Sequence, residues 1–581
     1  MAWWAEALAP LKGEPVERMF LGLDTEDDQL GYGPGRGFYL GCVTTPEGSA
    51  TFTSKKRLMS YLFRARWSGY WVACHNLEYD ALNVFGPGGV CRMDPCFSGS
   101  RLCGLRVKVD PGKGPRSGYL TFFDTAAFLA EPLAALAPLV GLKKLEARHR
   151  PGDRRVTPGR VEYCRRDAEI VRAVAGFVQE GIRALGGQMR LTAAATALDL
   201  YRRRYQSEAL PCLPEPVQET MLQGYSGGRV EAFRLGDFRG RLYGNDFNGM
   251  YVSVMADARL PELGTLSRRP KEDLAREGMA HAEMSVPEHL WAAPLPVKGD
   301  KLTFPVGRLR GWWTYSEIRL ALNAGCSIRR LLEAWHSDRQ EPYLRDMSLA
   351  LRDIRERPET PAPVSRMAKL LGNSLYGKFA QRNEQYEYMG TGEFAHRLLH
   401  GTLGEYDRER TMEYPAMRLV RVVRAGAGFP RHSNVIWSAC ITAGARGRLY
   451  PHLDPDTTYY CDTDSVLGRR RYPETRALGS LALKERYRRL VIRGNKLYAG
   501  ETADGTWEAH AKGVPRVEAR RAVLEPGARI ESRRPVKLRT ALRGREPANR
   551  WVEVFKELSG DYDKRTVERD GETRPLEVRQ W

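Results

Sequence analysis

The sequence predicts a multidomain α+β protein, and three observations carry that expectation. The chain has 581 residues, which at roughly 150 residues per domain allows three or four domains. Residues 19–183 alternate short β-like runs (MFLGLDTE, YWVACHN, GYLTFFDT) with helical patterns, as a compact α/β unit does. The second half holds a strong helix near 364–381 and a strand-turn-strand segment, TTYYCDTDSVLG, which belong to a different architecture.

Composition excludes several classes. With 42% hydrophobic and 10% aromatic residues the chain can bury real cores, so its net charge of +20 is not that of a disordered polycation. The basic residues are 73 arginines and 18 lysines, and the planar guanidinium suits phosphate; a GC-rich coding sequence is the alternative source of that bias. Residues 511–550 alone carry 12 Lys/Arg against 4 Asp/Glu, so a polyanionic partner is expected. Ten scattered cysteines include no C-x-x-C pair, which points to a reduced, cytoplasmic protein without a zinc module. No basic and apolar leader opens the chain, and no stretch approaches about 18 apolar residues, so neither export nor a membrane partner is expected.

The elements follow in order. Phe20, Leu21 and Leu23 lead into Asp24 and Glu26, which lie two apart and share one face of the predicted strand. Asp80 closes Asn76-Leu77-Glu78-Tyr79-Asp80, and Tyr163 and Asp167 fall four apart on the predicted helix VEYCRRDAEIVRAVAGFVQEGIRAL, hence on one face. Three separated carboxylate sources and a tyrosine hydroxyl are the inventory for two-metal phosphodiester hydrolysis. Singly, each aspartate reads equally as a surface or capping residue, and Asp124 in FFDTAAFL is either a further acid or a strand-end cap. A Gly-containing junction near 184 leads to a basic helix (LDLYRRRY), a Pro-rich stretch (LPCLPEPV) and the strand-like RLYGNDFNGMYVSVM, where Asp246 closes a β-like segment. Asp462 and Asp464 occupy i and i+2 of a predicted hairpin tip, an unfavourable pairing without a cation; a polar turn is the plain alternative. In MAKLLGNSLYGKFA a step of about 100° per residue brings Lys369, Asn373 and Tyr376 within roughly 60° of one another. Met367, Leu370, Leu371 and Leu375 populate the other side. A lysine, an amide and an aromatic on one face suit a triphosphate tail, a polar edge and a base or sugar plane; an amphipathic helix with a solvated stripe is the alternative.

Read in order, Asp24-Thr-Glu26, Asn76-x-x-Tyr79-Asp80, Tyr163-x-x-x-Asp167, Tyr225-Ser-Gly227-Gly228, Asp246-x-x-x-x-Tyr251, Lys369-x-x-x-Asn373-Ser374-x-Tyr376-Gly377, Tyr460-x-Asp462-Thr-Asp464-Ser465 and Lys496-Leu-Tyr498 resemble the motif series of family B DNA polymerases. The resemblance runs from about residue 20 to 500 and rests on eight motifs in the right order. It implies an RNase H-like 3′→5′ exonuclease domain followed by a right-hand polymerase with an antiparallel-sheet palm, helical fingers and a small thumb. The implied segments are exonuclease 1–185, junction and first palm part 186–255, a first insertion 256–358, fingers 359–395, a second insertion 396–430, the rest of the palm 431–500 and thumb 501–581.

What the resemblance implies for residues is specific. Asp24, Glu26, Asp80 and Asp167 match the exonuclease metal carboxylates, Tyr163 the residue orienting the attacking water, and Asn76 a contact to the single-stranded primer end; Lys143 or Lys144 matches a catalytic lysine. Asp246 and Asp464 match the palm metal ligands, Asp462 a supporting carboxylate, and Phe247 the position lending a backbone carbonyl. Lys369, Asn373 and Tyr376 match contacts to the incoming nucleotide, and Tyr251 the floor excluding a ribose 2′-hydroxyl. Lys496 and Tyr498 match a primer-terminus grip, Ser374 and Gly377 further DNA contacts, and Tyr225, Gly227 and Gly228 a template loop whose glycines let backbone approach phosphate. One departure is Asp246-Phe-Asn-Gly-Met-Tyr251-Val252, where the family has Pro after the tyrosine; the match of Asp246 survives it, but the family's backbone bend after Tyr251 does not carry over on sequence alone.

Tyr251 and Lys369 lie 118 positions apart, and Asn373 and Asp462 lie 89 apart. Insertions at these two places resemble the protein-primed branch, in which the first contacts a terminal protein and the second encircles DNA for processivity and strand displacement. The expected cofactors are two Mg²⁺ per active site, with Mn²⁺ as a substitute. The expected partners of a monomeric chain are primer-template DNA, dNTPs and a terminal protein supplying a priming hydroxyl, in replication of a phage, plasmid or other mobile genome. The competing readings are a stand-alone 3′→5′ exonuclease with a basic DNA-binding C-terminal half, and a DNA-binding scaffold whose carboxylates hold no metal.

Overall fold

The computed structural model describes residues 6–28, 37–98, 101–109, 118–146, 152–382, 386–414, 418–424, 428–525, 527–538, 551–557 and 562–578. The apolar runs of the first zone fold into one mixed sheet of β1 (Phe20–Asp27), β2 (Phe38–Thr45), β3 (Gly48–Phe52), β4 (Trp71–Cys74), β5 (Cys96–Ser98), β6 (Arg101–Lys108) and β7 (Tyr119–Asp124). The order is β3-β2-β1-β4-β7-β6-β5, with β1, β4 and β7 parallel and the flanking pairs antiparallel. Those central strands are apolar on both faces because a helix covers each. Leu21, Leu23, Val72 and Phe122 pack toward α1 (Leu77–Cys91), while Phe20, Trp71 and Phe123 pack toward α2 (Pro158–Ala184).

Two helices follow, α3 (Ala193–Arg204), which carries the basic turn, and α4 (Glu215–Gly224). Then come β8 (Val230–Ala232) and β9 (Gly236–Phe247). The strand-like reading through Met255 is corrected here: β9 stops at Phe247, Gly249 takes φ +62°, and α5 (Met250–Asp257) begins. The Asn248 amide nitrogen donates to Thr475 O at 2.7 Å and holds that turn. The chain turns before Tyr251, which is the second residue of a helix, and no bend follows it until that helix ends at Asp257.

Next are β10 (Ser267–Arg269), β11 (Gly278–Val286), β12 (Val306–Thr314), α6 (Tyr315–Asn323), β13 (Ser327–His336), α7 (Arg345–Glu356) and α8 (Ala362–Phe379). A three-stranded sheet, β14 (Tyr386–Gly390), β15 (Tyr406–Tyr414) and β16 (Leu419–Arg424), carries α9 (Thr391–Leu399) on its first crossing. The expected boundary between fingers and second insertion, residue 395/396, falls inside α9; because β14 pairs with β16, this unit starts at Tyr386.

After α10 (Val435–Leu449), the strands β17 (Thr458–Asp462), β18 (Ser465–Gly468), β19 (Leu481–Gly494), β20 (Leu497–Thr502) and β21 (Trp507–Ala511) complete an antiparallel sheet, β8-β17-β18-β9-β19-β20-β21. The expected palm–thumb boundary at 500 cuts β20, and the sheet runs on to Ala511. The segment 501–581 is thus not one thumb. β22 (Arg529–Pro535) and β23 (Trp551–Glu557) pair with each other, whereas β24 (Glu577–Val578) returns parallel to β12 and closes the sheet β10-β13-β11-β12-β24. The return is pinned by Arg565, fully buried, which donates to Trp291 O at 2.7 Å and Thr573 O at 3.0 Å and pairs with Glu231 at 3.5 Å. All ten cysteines are free. Among the described residues no helix is long and apolar enough to cross a membrane.

Candidate functional site

The first carboxylate cluster is built by three elements. β1 presents Asp24 and Glu26, the first turn of α1 presents Asp80, and α2 presents Tyr163 and Asp167 one turn apart. Asp80 Oδ1 accepts from Thr25 Oγ1 at 2.7 Å, which ties helix to strand. Lys144 Nζ donates to Tyr163 OH at 3.0 Å and to Asp167 Oδ2, so of Lys143 and Lys144 it is Lys144 that reaches the cluster. Burial pushes the Asp24 carboxyl well above its usual range, with Glu26, Asp80 and Asp167 adding repulsion. Burial likewise lifts Glu26 to about 8, with Asp167 and Asp80 contributing, and Asp80 to about 8. Asp24 Oδ2 and Asp167 Oδ1 are buried with no hydrogen-bond partner. Among the described residues no group of three or more His, Cys, Asp or Glu side chains is placed to hold a metal ion as the side chains stand. The two orphaned oxygens are acceptors crowded out of water, a need that a proton or a cation satisfies.

Two neighbours are structural. Asp124 accepts from Asn76 N at 2.8 Å and Ala126 N at 3.1 Å, so it is the strand-end cap and holds Asn76 in its left-handed conformation, φ 79°. Sequence reading missed Thr25 and the Tyr79 OH that donates to Asp27 Oδ1 at 2.8 Å; both stand inside motifs already singled out.

The second cluster lies where β9 meets the β17–β18 hairpin. Asp246 pairs in register with Ser465, and Phe247 N donates to Asp464 O at 2.8 Å, so Asp246 and Asp464 stand at adjacent strand ends. Thr463 makes the tip with φ 61°. Burial and then Asp464 raise Asp246 to about 6, while Lys484 and Lys369 oppose the shift; burial also raises Asp464. Asp462 is differently placed: its carboxylate receives Lys496 Nζ at 2.9 and 2.6 Å and Tyr460 OH at 3.2 Å. It anchors Lys496, whose N–H in turn donates to Tyr460 OH at 3.0 Å. Tyr498 stacks on His510 with centroids 4.8 Å apart.

A cavity of about 970 Å³ opens over these aspartates and is walled by α5, α7 and α8. Tyr251 and Tyr376 stack across it, centroids 4.2 Å apart and planes 14° from parallel, and Lys369 and Asn373 line it beside them. This face of α8 therefore lines a cavity and is not the solvated stripe of the alternative reading. Ser374 and Gly377 are not brought to it: Ser374 Oγ donates back to Leu370 O at 2.7 Å, and Gly377 lines a separate cavity against the N-terminal domain. Four further cations, Arg352, Arg355, Arg476 and Lys484, line the same cavity; no motif marked them.

The Tyr225-Ser-Gly-Gly loop follows α4 directly. Arg446 of α10 donates to Ser226 O at 2.6 Å, Gly227 O at 2.5 Å and Glu317 Oε1 at 2.6 Å. A Cβ on Gly228 would come within 2.6 Å of Thr463, so only glycine lets the loop pass so close to the Asp462–Asp464 tip.

A two-carboxylate antiparallel sheet facing a lysine-bearing helix, together with a mixed-sheet domain bearing its own acidic cluster, makes this an α+β multidomain fold with two separate carboxylate sites. The model of the family "DNA polymerase type B, organellar and viral" matches residues 139–405. The DNA-directed DNA polymerase of Enterobacteria phage PRD1 is 26% identical over 435 residues, 69% of this chain and 70% of that one. The primer-independent DNA polymerase PolB of Escherichia coli is 31% identical over 172 residues, 27% of this chain but 20% of that protein. A probable DNA polymerase of Neurospora intermedia is likewise matched over 22% of its length, so the chain spans about a fifth of these two relatives. Phi29 DNA polymerase, solved with primer-template DNA and incoming nucleotide, superposes with a TM-score of 0.71 over 93% of this chain and 100% of that one, at 14% identity, a likeness of fold. The chain resembles the family B DNA polymerases, their protein-primed branch included, in the family model over residues 139–405 and in fold.

Proposed function

We propose that the protein is a DNA-directed DNA polymerase with a 3′→5′ proofreading exonuclease, primed by a protein hydroxyl and able to displace a strand ahead of it. The observation that carries this reading is the pairing of Asp246 and Asp464 at the floor of a cavity whose opposite wall presents Lys369, Asn373 and the Tyr251–Tyr376 stack. Asp246, Asp464 and the Phe247 carbonyl would hold Mg²⁺ or Mn²⁺ there, and Asp24, Glu26, Asp80 and Asp167 would do so in the N-terminal domain. Bound divalent cations would acidify the attacking hydroxyl or water and neutralise phosphate charge. Lys369 then clamps the leaving phosphates, Tyr251 floors the sugar, and Lys496, held by Asp462, grips the primer end. In the exonuclease, Tyr163 and Lys144 orient the attacking water over Asp167.

Support for protein priming comes from the two units between palm segments, one around β10–β13 and the other around β14–β16, and from the likeness to the PRD1 and phi29 enzymes. DNA template and primer, dNTPs and a terminal protein are the corresponding partners. Purified protein with Mg²⁺ and dNTPs on a primed circle should yield products longer than the template; extension that halts at the first duplex removes strand displacement from the reading. Asp464→Ala should abolish extension and keep single-strand degradation, Asp24→Ala should do the reverse, and equal loss of both activities in either variant defeats the division of labour. No incorporation by the native chain would leave the exonuclease-only reading.

A further inference from the structure

The catalytic cavity does not end at its aspartates. Arg476 and Lys484 line both it and an adjoining space of about 410 Å³ that Arg486 and Glu474 help to wall. Lys484 owes its place to a β-bulge: Asn245 faces Leu483 and Gly244 faces Glu485, leaving Lys484 as the extra residue of β19. A bulged residue leaves the ladder and is re-aimed. Here Lys484 Nζ reaches Asn248 Oδ1 at 2.7 Å, two residues past Asp246. The amide nitrogen of the same Asn248 holds Thr475 O at 2.7 Å, so one side chain ties the bulge to the segment bearing Arg476. Arg471 and Arg486 both pair with Glu474, whereas Arg476 makes no ion pair among the described residues.

We infer that Lys484 and Arg476 form a binding site for inorganic pyrophosphate at the mouth of an exit from the catalytic cavity. The inference rests on the polymerase reading of that cavity. In that reaction the primer O3′ bonds to the α-phosphorus as its proton leaves to water. The bond from the α-phosphorus to the bridging oxygen breaks, and the β- and γ-phosphates depart with that electron pair as pyrophosphate. A small polyanion released beside Lys369 on the helical wall meets Lys484 on the sheet and Arg476 on the connection leading into that strand, and the adjoining space beyond them is of a size for an anion and its water rather than for a strand.

The test compares pyrophosphorolysis with extension on one primed hairpin, in an Asp24→Ala background to silence degradation. Losing one charge-assisted contact should raise KM for pyrophosphate by about tenfold in Lys484→Ala and in Arg476→Ala. KM for dNTP should rise by at most a third of that factor, and Lys484→Arg should restore the pyrophosphate KM. An unchanged pyrophosphate KM overturns the inference. Equal rises in both constants overturn it too, because the two residues would then hold the whole triphosphate. If the unsubstituted chain extends no primer at all, it is the polymerase reading that has failed, and this is seen before any variant of Lys484 is compared.

Discussion

Asp24, Glu26, Asp80 and Asp167 are ionisable groups placed where ionisation is unfavourable. Glu26 and Asp80 titrate near 8 in the folded chain against 4.5 and 3.8 in water. Raised folded values mean that the native state binds more protons, so the contribution to stability is complete below about pH 4 and is lost as pH rises to 8. Without divalent cations, unfolding free energy should therefore fall between pH 5 and 8 by on the order of a few kcal/mol, Mg²⁺ should reverse the fall, and Glu26→Gln should flatten it. Denaturant titrations with and without EDTA read this directly; a flat profile in EDTA would contradict the assignment. At this scale the motifs were readable because their chemistry needs particular side chains. What was not readable was rank among like residues: Asp124 is a cap, Lys144 rather than Lys143 meets Tyr163, and Asp462 is committed to Lys496. Sequence spacing is the same whichever role each plays.

Elements turned out most legible where a period extends over many residues. The helix expected near 364–381 is Ala362–Phe379, and the hairpin of TTYYCDTDSVLG is Thr458–Asp462 with Ser465–Gly468. The segment NGMYVSVM defeated the period because β-branched and apolar residues serve equally in a buried strand or a buried helix, and a single Gly249 at φ +62° decided for the helix. Gly249→Ala should cost about 1–2 kcal/mol for the left-handed backbone, and its Cβ would also meet Leu478 at 3.1 Å. Because Asp246 and Tyr251 flank this turn, extension should slow in parallel with the loss of stability, while Gly249→Asn, which tolerates that conformation, should lose less of both. Melting curves and single-turnover extension check the two together. The bulge that frees Lys484 has no sequence signature, since it arises from a register mismatch between β9 and β19.

The whole molecule is closed by contacts between residues hundreds of positions apart. Arg565 from the C-terminal return and Arg229 from the template-loop side both reach Glu231, all three buried. Removing one partner of a buried charge network costs about 3–5 kcal/mol, so Arg565→Ala should lower the unfolding midpoint of the C-terminal half and loosen the pairing of β24 with β12, visible as faster amide exchange at Val306 and Gly307. By itself the sequence pointed to a resemblance to family B DNA polymerases and singled out the motif residues that the fold gathers into two clusters, because particular side chains recur at each motif and local periodicity sets the helix or strand beneath it. Only the tertiary structure decided where one unit ends and the next begins, which cations besides Lys369 face the cavity over Asp246 and Asp464, and how residues 562–578 are shared between two sheets. Those outcomes depend on strand pairing and burial between distant segments, and no local pattern of residues encodes which partner a strand or a charge will meet.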